Sequence, residues 1–278
     1  MVDFIEIIQS PYFIRSVLAI ILIAVNASIA GSFTVFRDIS FLVAGTSHAA
    51  LAGAAFAIVL SVYGYIYNFD ALFGAMIFAV LTALAAGYAS RKGDKEQINT
   101  AIGIAFAMSM SLAVLFISMI REYASQAWGL LLGDILLLTD NDIILLSVVT
   151  IFIVLISILF YREFIFISFD MEGAFAYGIR AELYNYLMLA IIAVSVVVIL
   201  KGVGAILVFA MLVAPAAAAN QLATKVNKVM TMAFLFALIS GFIGLIISLY
   251  IPLSAGALAA LIATCTYFIV IIFKKSFR

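Results

Sequence analysis

Few side chains in this sequence could do chemistry, and their types exclude most reactions. His48 is the one histidine and Cys265 the one cysteine among 278 residues. A single imidazole can offer a nitrogen to a divalent transition metal, or it can hydrogen-bond a carbonyl or hydroxyl on a neighbouring segment. Alone it makes a transient station for a metal, not a tight site. Cys265 has no partner for an intrachain disulfide, and its apolar neighbours suit a small hydrophobe. No paired Asp, His-Glu-x-x-His, Gly-x-Ser-x-Gly or Gly-rich phosphate loop occurs. Intramembrane hydrolysis and ATP hydrolysis by these routes are therefore excluded, and no catalytic residue or bound cofactor is expected.

Small residues surround the histidine. From Ala44 to Ala55 only Thr46, Ser47, His48 and Leu51 interrupt alanine and glycine. Gly45, Ala49, Ala52 and Gly53 recur at helical spacing, a stripe that either packs closely against another backbone or lines a narrow path. Ser47 and Thr46 add neutral oxygens beside His48, and Asn26 is a further polar candidate. Pro215, followed by Ala216 to Ala219, opens a second small-residue stretch with the same two readings. The segment 162–182 is of another kind. Asp170 fits a helix N-cap, Glu172 the first turn and Gly178 the C-terminal end. That spacing predicts a short surface helix, small on one side and aromatic on the other. It suits an interfacial anchor, and equally a knob that docks into a cleft of a motor subunit.

The elements that must position these groups are membrane spans. The chain is 68% hydrophobic and 10% charged, with a mean hydropathy of +1.33; a soluble domain is about 25% charged. Lys plus Arg number 14 and Asp plus Glu 14, so no basic surplus exists for nucleic acid. Apolar runs cover 14–36, 39–62, 70–89, 98–120, 142–161, 183–200, 203–223, 229–250 and 254–273. They are too long and charge-free for soluble core helices. The expectation is an all-α polytopic membrane protein of about nine transmembrane helices, one domain over 1–278. The run 125–138 is shorter, ends in acidic residues and is expected to be re-entrant or interfacial. Asp3 and Glu6, with no basic n-region, predict that the first apolar stretch is retained.

Positive charge tests this division. Eleven of the 14 Lys and Arg fall on one side, leaving Arg15, Arg121 and Lys201 on the other. The bias predicts an extracytoplasmic N-terminus, with 162–182 and the C-terminus in the cytoplasm of a plasma-membrane protein. Away from the ends of the runs His48 is the only ionisable group besides Cys265 and the tyrosines; Arg15, Asp70 and Asp142 fall within the first two residues of their runs, and Arg37, Glu182 and Lys201 stand just outside theirs. That pattern disfavours a proton- or sodium-coupled carrier.

Four blocks, in order, resemble the permease subunits of the manganese/zinc/iron ABC importer family over roughly residues 30–260. They are Arg37-Asp38-Ile39-Ser40 leading to Ser47-His48-Ala49 and Gly53; Trp128 to Leu136, similar to "GDIL"; Phe169-Asp170 with Ala174 and Gly178, similar to "F-D-x-x-x-A-x-x-x-G"; and Gly202 to Val208 with Leu212 to Ala219, including Pro215. The resemblance implies type II importer architecture, like that of vitamin B12 importers. It implies a second copy of this chain, two ATP-binding subunits that use the ATP, and an extracytoplasmic metal-binding protein. Asp170, Ala174 and Gly178 would belong to the helix that couples to the ATPase, and Ser47, Gly53 and Pro215 to the pathway or its packing. Many members carry an Asp four residues before the histidine; here it is Ala44. Only His48 is carried over as a metal contact. The alternatives are a stand-alone carrier or channel for a small solute, and a permease of the same fold for metal chelates.

Overall fold

Ser10 starts the first helix. Its hydroxyl accepts the Phe13 N–H at 3.3 Å, and Pro11 follows where a missing N–H costs nothing. The computed structural model describes residues 10–67, 69–89, 95–120, 129 and 131–276. In it α1 covers Pro11–Asn26, a π-helical turn Ala27–Gly31, and α2 Ser32–Phe36, together one apolar span of 26 residues. The sequence pattern predicts no break in this helix. Its end is closed by a pair of reversed bonds, Ile39 N–H to Thr34 O at 3.0 Å and Asp38 N–H to Val35 O at 3.3 Å. Asp38 takes the left-handed position, at φ 58°, that such a cap requires.

There follow α3 (Phe41–Val62), α4 (Ala71–Ala89), α5 (Lys95–Met119), α6 (Asp140–Leu159), α7 (Tyr161–Phe169), α8 (Met171–Ala176), α9 (Ala181–Val203), α10 (Val208–Leu222), α11 (Val226–Tyr250) and α12 (Ala255–Ser276). Among the described residues eight helices are long and apolar enough to cross a membrane. The difference from nine lies in the run 203–223, which folds as the 15-residue α10. Gly204, at φ 91°, ends α9, and a turn takes up the residues before Val208. At 1.5 Å per residue α10 reaches about 22 Å, short of a hydrocarbon layer of about 30 Å.

The helices alternate between two ends. Arg37 meets Asn185, Tyr161 meets Asn227 and Lys274 meets Gln221 at one end, while Arg15 reaches Leu138 and Lys201 reaches Asp142 at the other. Of the expected re-entrant block, 125–128 and 130 lie outside the described residues. Its described part, 131–138, holds a 3₁₀ turn over Ile135–Leu137, capped by Asp134, whose carboxylate accepts the Leu136 N–H at 2.9 Å. Arg15 donates to Leu138 O and Ser16 to Ile135 O. Ile120, packed on Ile58 and Val59, and the described part 131–138 stand at the same end of the molecule.

Packing rests on small residues. A Cβ on Gly53 would stand 2.1 Å from Gly74 O, and one on Gly74 2.3 Å from Gly53 O, so α3 and α4 cross backbone on backbone. Gly31 in the π turn lies the same way on α10, where a Cβ would meet Leu212 O at 2.0 Å. One apolar core draws buried side chains from every helix.

Candidate functional site

Two places carry the sequence-predicted residues. The first is α8 with its supports. Asp170 caps it, its carboxylate accepting the Gly173 N–H at 2.7 Å. At the other end Ile179 N–H reaches Ala174 O and Gly178 N–H reaches Phe175 O, each at 3.0 Å. Gly178 sits at φ 76°, which a side chain would strain. Six residues are too few to hold a helix by themselves. Here both ends are fixed, and Ala174 is fully buried. Outward stand Phe169, 63% exposed, Phe175, 48%, and Tyr177, 81%. The helix therefore presents an aromatic face at the end where the loops gather positive charge.

Beneath it, α2 holds α7 and α8. Phe33 packs edge-on against Phe164 with centroids 5.6 Å apart, both rings fully buried, and Phe36 packs against Phe169 at 5.5 Å. Arg37 donates through Nη1 to Asn185 Oδ1 at 2.7 Å and points Nη2 at Met171 Sδ, 3.9 Å away. Burial pulls the Arg37 pKa below the ordinary arginine value. Tyr161, which opens α7, donates its hydroxyl to Asn227, and burial raises its pKa.

The second place is α3 around His48. The ring lies edge-on to Phe106 of α5, centroids 4.9 Å apart, and Nδ1 is buried with no hydrogen-bond partner. Among the described residues no hydroxyl or carbonyl takes Nδ1. Among the described residues no three His, Cys, Asp or Glu side chains gather where a metal could be held. Ser47 donates back to Ala44 O at 2.9 Å and Thr46 to Leu42 O at 2.8 Å, so both hydroxyls are spent on their own helix. Gly53 lies against α4, and Pro215 is buried inside α10. His48, α8 and Pro215 thus occupy separate helices; the fold does not gather them into one pocket. Asn26 is buried and donates to Thr150 Oγ1 of α6 at 2.8 Å, leaving its own Oδ1 unpartnered.

Sequence reasoning missed a charged pair. Lys201 meets Asp142 at 2.6 Å, and Asp142 also closes the capping box with Thr139 at the start of α6. The pair rims a small cleft lined by Ile23, Met76, Leu146 and Val198. Its walls are apolar and its one carboxylate is already taken, so it offers little to a bare cation. One charge stands in the first turn of its span and the other in the last turn of its own, 59 positions on, so no local pattern could have paired them.

Known proteins are similar to this chain along nearly its whole length. The model of the ABC 3 transport family matches residues 9–274. The manganese transport system membrane protein MntC of Listeria monocytogenes is 30% identical over 267 residues, 96% of this chain and 92% of that protein. The manganese import system permease protein ScaB of Streptococcus parasanguinis is 27% identical, over 96% of this chain and 92% of its own length. Among solved structures, PsaBC from Streptococcus pneumoniae in complex with Fab superposes with a TM-score of 0.83 at 26% identity, covering 96% of this chain and 94% of that one.

Proposed function

The chain belongs to the ABC 3 transport family, and on that premise we propose that it is the membrane-spanning permease subunit of an ATP-driven importer for a divalent transition metal, manganese foremost. Residues 1–278 form its one permease domain, and 162–182 its cytoplasmic coupling loop. Two ATP-binding subunits dock, one on the α8 of each copy of the chain, where the exposed aromatic side chains supply contact area and the two caps keep the helix from unravelling under load. Asp170, Ala174 and Gly178 shape that contact without touching the cargo. A second copy of the chain completes the pathway, and an extracytoplasmic binding protein delivers the metal at the end where Lys201 and Asp142 pair. His48 serves as a passing ligand. With Ala44 one turn away it has no carboxylate to share a cation, so the metal pauses there and is not stored. Ser47, Gly53 and Pro215 act through packing around that route.

The observation that carries this reading is family membership along nearly the whole chain, with a doubly capped, outward-facing α8 at the end the positive charges mark. The test is reconstitution with the cognate ATP-binding subunits. Vesicles holding the complex should take up Mn²⁺ when ATP and binding protein are supplied on their proper sides, and the permease alone should take up none under an imposed ion gradient. Uphill uptake by the chain alone would select the stand-alone carrier; uptake of a chelate but not the free ion would select the chelate permease.

A further inference from the structure

Phe33, Phe36 and Arg37 share one face of the last turn of the first span, at spacings of three and four residues. Each is tied to a different point of the α7–α8 segment: Phe33 to Phe164, Phe36 to Phe169, and Arg37 to Met171, the first residue of α8. Arg37 also holds Asn185 of α9 with its other arm. A planar guanidinium with two bonded arms fixes the angle between its partners, which a lysine cannot do. Both of these partners, Met171 and Asn185, are neutral. These contacts tie α2 to α7 through two ring pairs, and to the first residue of α8 through Arg37.

Immediately before α2 the helix is irregular. The π turn Ala27–Gly31 is a single wide turn of the kind that marks bending points and functional sites in helices. On its far side Asn26 is anchored to Thr150 of α6. On its inner side Gly31 bears on Leu212 O of α10, close to Pro215, whose missing N–H leaves the Met211 carbonyl without its helical donor. A short helix tied to α7 and α8, a π turn preceding it and a proline-bearing helix packed against that turn thus stand in sequence.

We infer that α2, gripped by Arg37, is the lever that carries a displacement of α8 into the middle of the membrane, with Ala27–Gly31 as its hinge and α10 as the element it moves. Arg37 is a positioning residue: it touches no cargo and sets how far motion at α8 reaches the pathway. The inference rests on the reading of α8 as the coupling helix.

The test uses the complete complex in vesicles and measures metal moved per ATP hydrolysed. Arg37→Gln should assemble with the ATP-binding subunits and hydrolyse ATP, yet move metal at least about tenfold less efficiently, the scale of one lost charge-assisted hydrogen bond. Arg37→Lys should fail to rescue it. Independently of whether these variants fold, a short bis-thiol-reactive cross-linker joining F36C to F169C in a Cys265→Ser background should leave transport intact, because the joined elements move together. Unchanged efficiency in Arg37→Gln, or transport abolished by the cross-link, would overturn the lever and leave the importer reading standing. A wild-type chain that binds no ATP-binding subunit would overturn that reading, and the lever with it.

Discussion

At Gly53 the α3 backbone touches α4 so closely that a single carbon decides whether the helices can meet. A Cβ there would stand 2.1 Å from Gly74 O, whereas at Gly45, two turns earlier, the nearest atom would be 3.8 Å away. Both glycines belong to the same small-residue stripe, yet only one is confined. Gly53→Val should therefore destabilise the protein by about 1–3 kcal/mol or more through overpacking, while Gly45→Ala should be close to neutral. Thermal unfolding of the two variants in detergent separates them. A second asymmetry sits at Lys201 and Asp142. The lysine side chain is 41% exposed and the aspartate 10%. Lys201→Met strands a nearly buried carboxylate, at a cost of about 1–3 kcal/mol, whereas Asp142→Asn leaves an ammonium that can reach water and an amide that still accepts from Thr139. The same melting experiment should find Lys201→Met the less stable of the two.

Among the elements, α8 shows which features a sequence can announce. Its caps obey local rules: an acceptor at Asp170 three residues before the N–H it takes, and a glycine at Gly178 where φ must be positive. The spans announce themselves in the same way, through runs of apolar residues. The π turn, the Gly53–Gly74 crossing and the Arg37–Asn185 bond do not. Each depends on a partner far along the chain, such as Leu212 under Gly31 or Asn185 beside Arg37, and nothing in the neighbouring residues encodes that meeting. The shortened α10 lies between these cases: Gly204 and Pro215 are visible as letters, but only the turn that follows Gly204 shows how many residues it removes from the helix. His48 illustrates the same limit, since its contact with Phe106 follows from how α3 and α5 pack. A prediction belongs to α8 itself. Asp170→Ala removes the N-cap, worth about 1 kcal/mol, from a helix only six residues long. Melting of the whole permease should change little, because Ala174 is the one fully buried side chain that α8 gives to the core. ATP-driven uptake by the complex should fall, because the frayed helix no longer transmits load. Equal losses in melting temperature and uptake would instead make Asp170 a general stabiliser.

For the whole molecule the decisive quantity is which end faces the cytoplasm, because ATP is available on that side alone. Eleven Lys and Arg against three predict that the end bearing α7 and α8 is inside. The structure divides the exposed aromatics in a way that lets this be measured: Tyr67, 91% exposed, lies in the α3–α4 connection at one end, and Tyr177, 81% exposed, lies just past α8 at the other. In a Cys265→Ser background, which removes the chain's one exposed thiol, Tyr67→Cys should react with a membrane-impermeant maleimide on intact cells. Tyr177→Cys should react only in inverted vesicles, and binding of the ATP-binding subunits should protect it. The reverse pattern would put α8 on the side without ATP. Since α2 joins α8 to the pathway, that result would remove the power source and the lever together, and the chain would have to move its cargo by some means other than ATP.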